Sequence, residues 1–172
     1  MPNYFTKKGW ESFQRKIIAQ KHKVWTVGKE VGDAAGISCD WHDNFGYEDA
    51  KRRFEMESTI LKNLVRELEG GIVIEVQEQN KKIMIGTTVK LLMGDNHKEI
   101  TIGAYGESAP SQGLIAYASP LARAIAGMEV GEKKAAVIGG RTVDIEIEEI
   151  YPPSFRYNSL IAEHFGGDEL RP

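Results

Sequence analysis

Two runs of hydrophobic residues, separated by a short acidic stretch, restrict the fold of residues 10 to 68 more than any other feature of this chain. In both runs the hydrophobic positions lie alternately three and four residues apart, which is the heptad pattern of a coiled coil. The first run is Trp10, Phe13, Ile17, Gln20, Val24, Val27, Val31 and Ala34. The second run is Tyr47, Ala50, Phe54, Glu57, Leu61, Leu64 and Leu68. We call these positions the seam, and they predict two long helices that pair along it.

An antiparallel hairpin would bring the two runs together in reverse order. Its pairs would be Ala34 with Tyr47, Val31 with Ala50, Val27 with Phe54, Ile17 with Leu64 and Phe13 with Leu68. Every pair has the same residue-number sum, so the turn is predicted at Asp40 and Trp41. The polar seam residues Gln20 and Glu57 would each face a hydrophobic residue, at some cost in stability.

The predicted turn carries Asp40 and Asp43 at the far end of the hairpin. With about 30 residues per helix and a rise of about 1.5 Å per residue, each arm extends roughly 45 Å. Such an arm could deliver two carboxylates to a site that a compact domain cannot enter. A plain helical hairpin with a solvated acidic turn explains the same residues, so both interpretations stay open at this point.

Composition limits the class of protein and its partners. The 172 residues are 41% hydrophobic and 27% charged, with a net charge of −3. These values suit one or two small soluble domains without a general affinity for nucleic acid. The single cysteine, Cys39, excludes an internal disulfide. No segment has the pattern of a signal peptide or a membrane span, and we expect a cytoplasmic monomer that does not associate with a membrane.

After residue 71 the pattern changes from helical to strand-like. Alternating and β-branched runs predict strands within 72–76, 82–92, 99–105, 113–117, 135–138 and 142–150. Thr6 is predicted to cap the first helix. Ser119 before Pro120, with Gly127 beyond, predicts a short capped helix, and Gly139-Gly140 predicts a hairpin turn. The predicted organisation is a coiled-coil hairpin over 1–75, an antiparallel sheet with one short helix over 76–152, and a mostly flexible tail over 153–172 with a weak helical stretch at 160–165. The predicted fold class is therefore α+β.

The motifs that stand out along the chain are the opening segment 5–9, the acidic segment 40–47, and segments 85–91 and 119–131. Together they resemble the GreA/GreB family of bacterial transcript cleavage factors. The opening segment 5–9, Phe-Thr-Lys-Lys-Gly, resembles the family's Leu-Thr-x-x-Gly. The segment 40–47 is similar to the family's acidic tip, with Asp43 where the family usually has glutamate. Segments 85–91 and 119–131 are similar to its signature strands and helix. The resemblance extends over nearly the whole chain up to Tyr151.

The resemblance implies an N-terminal coiled coil followed by an FKBP-like domain. In this family the FKBP-like domain binds RNA polymerase at the rim of the secondary channel, and the coiled coil enters that channel. The acidic tip then stimulates the polymerase's own cleavage of a backtracked transcript. The implied partners are bacterial RNA polymerase and the 3′ end of the nascent RNA, and the protein itself is not expected to be an enzyme.

The resemblance also assigns roles to the acidic residues. Asp40 and Asp43 are expected to act in the polymerase active site and to help hold a Mg²⁺ ion that is shared with the polymerase. No tightly bound cofactor is expected. The assignment agrees with chemistry, because Mg²⁺ prefers oxygen ligands and two-metal phosphodiester cleavage uses a second ion.

Two further segments are expected to make contacts. Lys51, Arg52 and Arg53 are candidates for binding RNA, with a solvated helix face and an ion pair such as Arg53 with Glu57 as the alternative. The segment expected to dock on the polymerase is Ser119, Pro120, Leu121, Ala122 and Arg123.

Other functions remain open on the sequence alone. A Gre-like protein could bind the same channel and inhibit the polymerase, and the bulky Trp41 and Phe45 are compatible with that. A prolyl isomerase or chaperone activity of the FKBP-like half would need an aromatic-lined pocket, but 76–152 contains only three tyrosines and no Trp or Phe. A purely helical adaptor is the third class.

Overall fold

The computed structural model describes residues 2–37, 45–79 and 81–165, and it divides into two compact units. The first, which we call the hairpin unit, comprises Met1–Asn3 and Glu11–Gly71. The second, the sheet unit, comprises Tyr4–Trp10 and Ile72–Pro172. The sheet unit is therefore built from two pieces of the chain that are far apart in sequence.

Two long helices form the hairpin, α1 over Lys7–Ile37 and α2 over Phe45–Glu69. All seam residues except Phe54 are buried or half-buried, whereas most other positions of both helices are exposed. The contacts run in opposite directions along the two helices. Gln20 meets Glu57, a Cβ added to Gly28 would lie 3.4 Å from the Phe54 ring, and Glu30 pairs with Arg53. The helices are therefore antiparallel, as predicted.

The polar seam residues contact each other rather than hydrophobic partners. The side-chain amide of Gln20 donates to the backbone oxygen of Glu57 at 3.0 Å and also to the Glu57 carboxylate. The prediction that each would face an aliphatic residue was therefore wrong in this detail. The reason is that glutamine is long enough to reach one turn along α2, where a hydrogen bond compensates for the burial of its side chain.

The start of α1 agrees with the predicted cap. The Gly9 amide donates to Thr6 Oγ1 at 3.0 Å, and the Trp10 amide donates to the Thr6 carbonyl at 2.8 Å. Before this cap, β1 (Asn3–Phe5) pairs with β2 (Gly71–Val73) in a two-stranded sheet. The strand β1 was not predicted, because three residues are too few to show an alternating pattern.

Five strands form the main sheet, in the spatial order β5-β4-β3-β7-β6. Their bounds are β3 Thr88–Met93, β4 Asn96–Gly103, β5 Leu114–Ala116, β6 Lys133–Ile138 and β7 Arg141–Tyr151. Gly139 and Gly140 have φ values of 59° and 79°, which suits the tight β6–β7 turn. The α+β prediction is confirmed, with one addition: β5 runs parallel to β4, whereas the other pairs are antiparallel.

The helix α3 (Pro120–Ile125) packs with the sheet around the main hydrophobic core. This core consists of Ile83, Val89, Leu91, Ile100, Ile102, Ala122, Ile125, Met128, Ile145 and Ile147. Its members alternate along β3, β4 and β7, so one side of the sheet supplies most of it. A single turn of 3₁₀ helix, Pro110–Gln112, precedes β5.

The expectation of a mostly flexible tail is wrong for residues 157–165. These residues form α4 (Tyr157–Phe165), and Tyr157, Leu160 and Ile161 pack with Leu114 in a second hydrophobic cluster. The helical stretch was recognised in the sequence, but its burial was not. Burial depends on the partner Leu114, which lies more than forty residues earlier in the chain.

Candidate functional site

The hairpin helices lie on either side of the stretch that carries the predicted acidic tip. The description of α1 ends at Ile37 and α2 begins at Phe45. Asp40 and Asp43 fall between these limits, outside the described residues, and their role stays a prediction. Phe45 has 85% of its surface exposed, so a large aromatic ring is presented to solvent two positions after Asp43.

The three basic residues on α2 are exposed, and two of them form ion pairs. Arg52 Nη2 lies 2.9 Å from Asp49 Oδ1, and Arg53 Nε lies 3.1 Å from Asp49 Oδ2. Arg53 Nη1 also reaches Glu30 Oε2 on α1 at 2.7 Å. The hydrogen bond from Arg52 and the charges of both arginines lower the pKa of the Asp49 carboxyl. Lys51 is exposed and makes no ion pair with a described residue.

These pairs change the interpretation of the basic segment. The alternative pairing of Arg53 with Glu57 is wrong, because Arg53 turns to Asp49 and Glu30 while the Glu57 carboxylate accepts a hydrogen bond from Gln20. Exposed ion pairs contribute little to stability, because water and salt screen them. The two arginines can therefore exchange their carboxylate partners for a phosphate group at small cost.

The predicted docking segment forms the start of α3. Ser119 is the N-cap, and its Oγ accepts a hydrogen bond from the Ala122 amide at 3.3 Å. Pro120 occupies the first helical turn, where its missing amide hydrogen is not needed. Ala122 is buried in the core, whereas Pro120 and Arg123 are exposed. Of this segment, only the proline and the arginine are largely open to a partner.

Sequence comparisons assign the chain to a known family. Residues 78–152 match the family described as "Transcription elongation factor, GreA/GreB, C-term". The transcription elongation factor GreA of a Nitratiruptor species is 33% identical over 149 residues, which cover 85% of this chain and 91% of that protein. This chain belongs to the GreA/GreB family.

Two further similarities were found. GreA of Nautilia profundicola is 30% identical over 149 residues, covering 84% of this chain and 91% of that protein. Among solved structures, GreA factor homolog 1 of Thermus thermophilus is 19% identical, with a TM-score of 0.42, and the match covers 88% of this chain and 99% of that one. The sequence matches confirm the predicted family, and with it a transcription elongation factor as the general class of protein.

A buried carboxyl group in the sheet unit was missed by the sequence analysis. Glu107 is fully buried in the loop after β4. Its carboxyl oxygens accept hydrogen bonds from the Thr6 hydroxyl, from the Ala104 amide at 2.9 Å and from the Tyr157 hydroxyl at 2.6 Å. Burial, followed by the nearby Glu107 carboxyl, raises the pKa of Tyr157. We call these four residues the Glu107 cluster.

The Glu107 cluster gives a structural reason for the residues of the opening segment 5–9. Thr6 both caps α1 and donates to Glu107. A Cβ on Gly9 would lie only 2.8 Å from Glu107 Oε1, so glycine leaves the space that the carboxyl group needs. Phe5 is fully buried, and its ring centroid lies 5.3 Å from that of Trp10 and 5.1 Å from that of Tyr105. The motif therefore has a structural role in joining the start of α1 to the loop after β4.

The three tyrosines of residues 76–152 pack separately in the described part of the sheet unit. Each tyrosine of residues 76–152 packs on an aromatic ring from outside that range: Tyr105 on Phe5, Tyr117 on Tyr4, and Tyr151 on Phe155. A surface cavity with a volume of about 400 Å³ has no aromatic residue in its lining. Its lining residues are Leu92, Gly94, Lys133, Lys134, Ala135, Asp144, Ile145 and Glu146. Within the described part of the chain, these tyrosines are therefore separate packing elements rather than one pocket.

Among residues 2–37, 45–79 and 81–165, no group of three or more His, Cys, Asp or Glu side chains is arranged to hold a metal ion. In the same residues, no helix combines the length and the hydrophobicity needed to cross a membrane.

Proposed function

We propose that this protein inserts its hairpin into the secondary channel of bacterial RNA polymerase and stimulates the polymerase's own cleavage of backtracked transcripts. One observation carries the proposal. In a member of the GreA/GreB family, two antiparallel helices of 31 and 25 residues are joined by the stretch that contains Asp40 and Asp43. A helix of 31 residues extends roughly 46 Å, long enough to carry a carboxylate deep into a channel.

The proposed chemistry at the tip needs only acidic side chains. The donor set fits a shared ion, because Mg²⁺ takes one or two protein carboxylates and completes its shell with water and phosphate oxygens. Such an ion activates water and stabilises the leaving oxygen in phosphodiester cleavage. Asp40 and Asp43 would supply the carboxylates, and the rest of the site belongs to the polymerase.

Lys51, Arg52 and Arg53 are proposed to contact the RNA 3′ end. They begin eight residues after Asp43 in the sequence and six residues after Phe45, where α2 begins. The ion pairs of Arg52 and Arg53 with Asp49 and Glu30 are exposed and weak, so both guanidinium groups can turn to a phosphate instead. A phosphate can form a bidentate contact with such a group.

The docking proposal predicts a binding defect for Arg123→Glu. Because Arg123 is exposed on α3 while Ala122 holds the helix in the core, the substitution should preserve the fold and weaken polymerase affinity by about five- to tenfold. Arg141→Glu, an exposed arginine at the β6–β7 turn, is the matched control and should change affinity less than about twofold. Equal affinities of the two variants, measured by titration against fluorescent core polymerase, would remove α3 from the proposed interface.

The decisive experiment for the function uses elongation complexes stalled in a backtracked state. Adding the protein with Mg²⁺ should shorten the transcript from its 3′ end and release short RNA, after which nucleotides should extend it again. Without polymerase, the protein should leave the same RNA intact, since two carboxylates alone bind Mg²⁺ poorly. Asp43→Glu should keep or raise the activity because it adds one methylene of reach. Polymerase-independent cutting would contradict the proposal.

An inhibitor of the polymerase is the second candidate, and one observation favours it. Phe45 is 85% exposed at the start of α2, where its bulk could obstruct nucleotide entry. In the same assay an inhibitor would slow nucleotide addition, release no short RNA and compete with nucleoside triphosphate. Phe45→Ala would relieve inhibition but should leave stimulated cleavage largely unchanged, so this variant separates the two functions.

A further inference from the structure

The two edges of the main sheet differ in how they are covered. The edge strand β5 has three residues, and Ala109 exchanges backbone hydrogen bonds of 2.9 and 3.1 Å with Leu114 on its outer side. The opposite edge strand, β6, has six residues, and among the described strands it pairs with β7 alone. An uncovered edge presents backbone groups that can pair with another strand.

The outward-facing backbone groups of β6 belong to Lys133, Ala135 and Val137. The Ile147 amide donates to the Glu132 carbonyl at 3.0 Å, and the backbone bonds of an antiparallel pair alternate along the strand. The even-numbered residues of β6 are therefore bonded to β7, whereas the odd-numbered residues direct their amides and carbonyls away from the sheet. The side chains of these odd-numbered residues are exposed as well. The free side of β6 is therefore a regular row of donors and acceptors.

The strand β6 carries none of the features that usually protect an edge. Proline, a β-bulge or a free lysine blocks pairing in many natural sheets. β6 contains no proline, and its register with β7 is continuous. Its two lysines are engaged within the sheet unit, because Lys133 Nζ lies 2.8 Å from Glu146 Oε2 and Lys134 Nζ donates to the Ala124 carbonyl at 2.9 Å. Val137 is 69% exposed, so the other end of the strand offers a hydrophobic side chain.

We propose that β6 pairs with β6 of a second copy of this chain, antiparallel and about a two-fold axis at Ala135. In this register Ala135 lies opposite its own copy and Lys133 lies opposite Val137, so no two like charges are directly opposite. Every outward amide and carbonyl of the strand gains a partner, and two five-stranded sheets become one continuous sheet. A second copy is favoured over an acidic peptide, because both lysines of the edge already have partners.

The surface cavity beside β6 suits the valine of the second copy. Residues directly opposite each other in an antiparallel pair have their side chains on the same face of the sheet. Val137 of the second copy would therefore lie next to Lys133, which lines the cavity together with Leu92 and Ala135. The valine would cover the aliphatic stem of Lys133 while the ammonium group stays with Glu146. This pairing does not depend on the proposed function.

The dimer should be weak, because a six-residue edge buries less surface than a standard protein interface. We expect a dissociation constant on the order of 10–100 µM, so a dilute solution would contain the monomer that the sequence predicts. Sedimentation velocity of the full chain from about 1 µM to about 1 mM brackets this constant. The sedimentation coefficient should rise with concentration towards that of a dimer. A monomer at every concentration would overturn the proposal.

Two variants of β6 test whether this edge forms the dimer. Val137→Lys should raise the dissociation constant about tenfold or more, because it places a free ammonium group opposite Lys133 of the second copy. Val130→Lys is the matched control, since Val130 is 56% exposed outside β6, and it should change the constant less than about twofold.

Ala135→Pro removes the central outward amide, and an edge strand tolerates proline where the amide faces solvent. This variant should remain monomeric with an unchanged circular dichroism spectrum. If the dimer persists in both β6 variants, it belongs to another surface and the proposal fails. Equal weakening by Val130→Lys and Val137→Lys would also contradict it, because the effect would then come from added charge in general.

Discussion

Replacing Asp40 and Asp43 with asparagine is expected to reduce stimulated transcript cleavage about a hundredfold or more, while polymerase affinity stays within about twofold. Asparagine keeps the size of aspartate but removes the charge that a shared Mg²⁺ needs, and loss of one such electrostatic contact typically costs about 10²–10³ in rate. Affinity should be preserved because the proposed docking residues lie on α3 and not at the tip. Single-turnover cleavage by backtracked complexes, at saturating variant, measures the effect directly.

The control for the tip variants is Asp33→Asn. Asp33 is an exposed aspartate on α1, four residues before the described end of that helix, and its neutralisation tests for a general effect of hairpin charge. It should leave cleavage unchanged. The assignment of the two tip acids is contradicted if the tip variants lose affinity but cleave normally once bound, since the acids would then act in binding rather than in chemistry.

The largest effect on stability is expected for Glu107→Ala. The substitution leaves the Thr6 hydroxyl, the Ala104 amide and the Tyr157 hydroxyl without their buried acceptor. Each unsatisfied buried group costs about 1–3 kcal/mol, so we expect the free energy of unfolding to fall by about 3–5 kcal/mol. Urea denaturation, followed by circular dichroism, measures the change. Glu78→Ala, an exposed glutamate of the same unit, should cost less than about 1 kcal/mol.

A pH titration separates the hydrogen bonds of the Glu107 cluster from simple packing. The pKa of Tyr157 is raised in the folded protein, so the folded state favours the neutral phenol. The resulting stabilisation is complete below the ordinary tyrosine pKa of about 10 and is lost as the pH rises above it. The free energy of unfolding should therefore fall more steeply above pH 10 for the natural chain than for Tyr157→Phe. Parallel curves for the two proteins would mean that Tyr157 does not couple to the fold in this way.

The parts of the fold that a local pattern encodes could be predicted from the sequence. The seam spacing predicted both helices and their antiparallel pairing, because burial repeats along each helix with the same period as the hydrophobic residues. Thr6 as a cap and Gly139-Gly140 as a turn were predicted from backbone chemistry that involves only a few neighbouring residues.

The parts that depend on distant residues could not be predicted in this way. Glu107 looks like an ordinary loop residue, and its burial depends on Thr6 and Tyr157, which lie 101 and 50 residues away. The burial of α4 and the hydrogen bond between Gln20 and Glu57 depend on similar partners. For the candidate site, the ion pairs of Arg53 with Asp49 and Glu30 required the structure, whereas the roles of Asp40 and Asp43 rest on the family resemblance alone.

The division of the sheet unit into two distant pieces has a consequence for how the protein is made. Thr6 is synthesised 101 residues before Glu107, and Tyr157 is synthesised 50 residues after it. Glu107 therefore has all its donors only after Tyr157 has left the ribosome, whereas both arms of the hairpin emerge much earlier. A fragment that begins at residue 72 would lack Phe5 and Thr6, which are buried in the sheet unit. The residues that pack against them would then be exposed to solvent. A sheet unit that folds by itself must therefore include Tyr4–Trp10. A circular permutation that joins this segment to the rest of the unit would provide it without the hairpin.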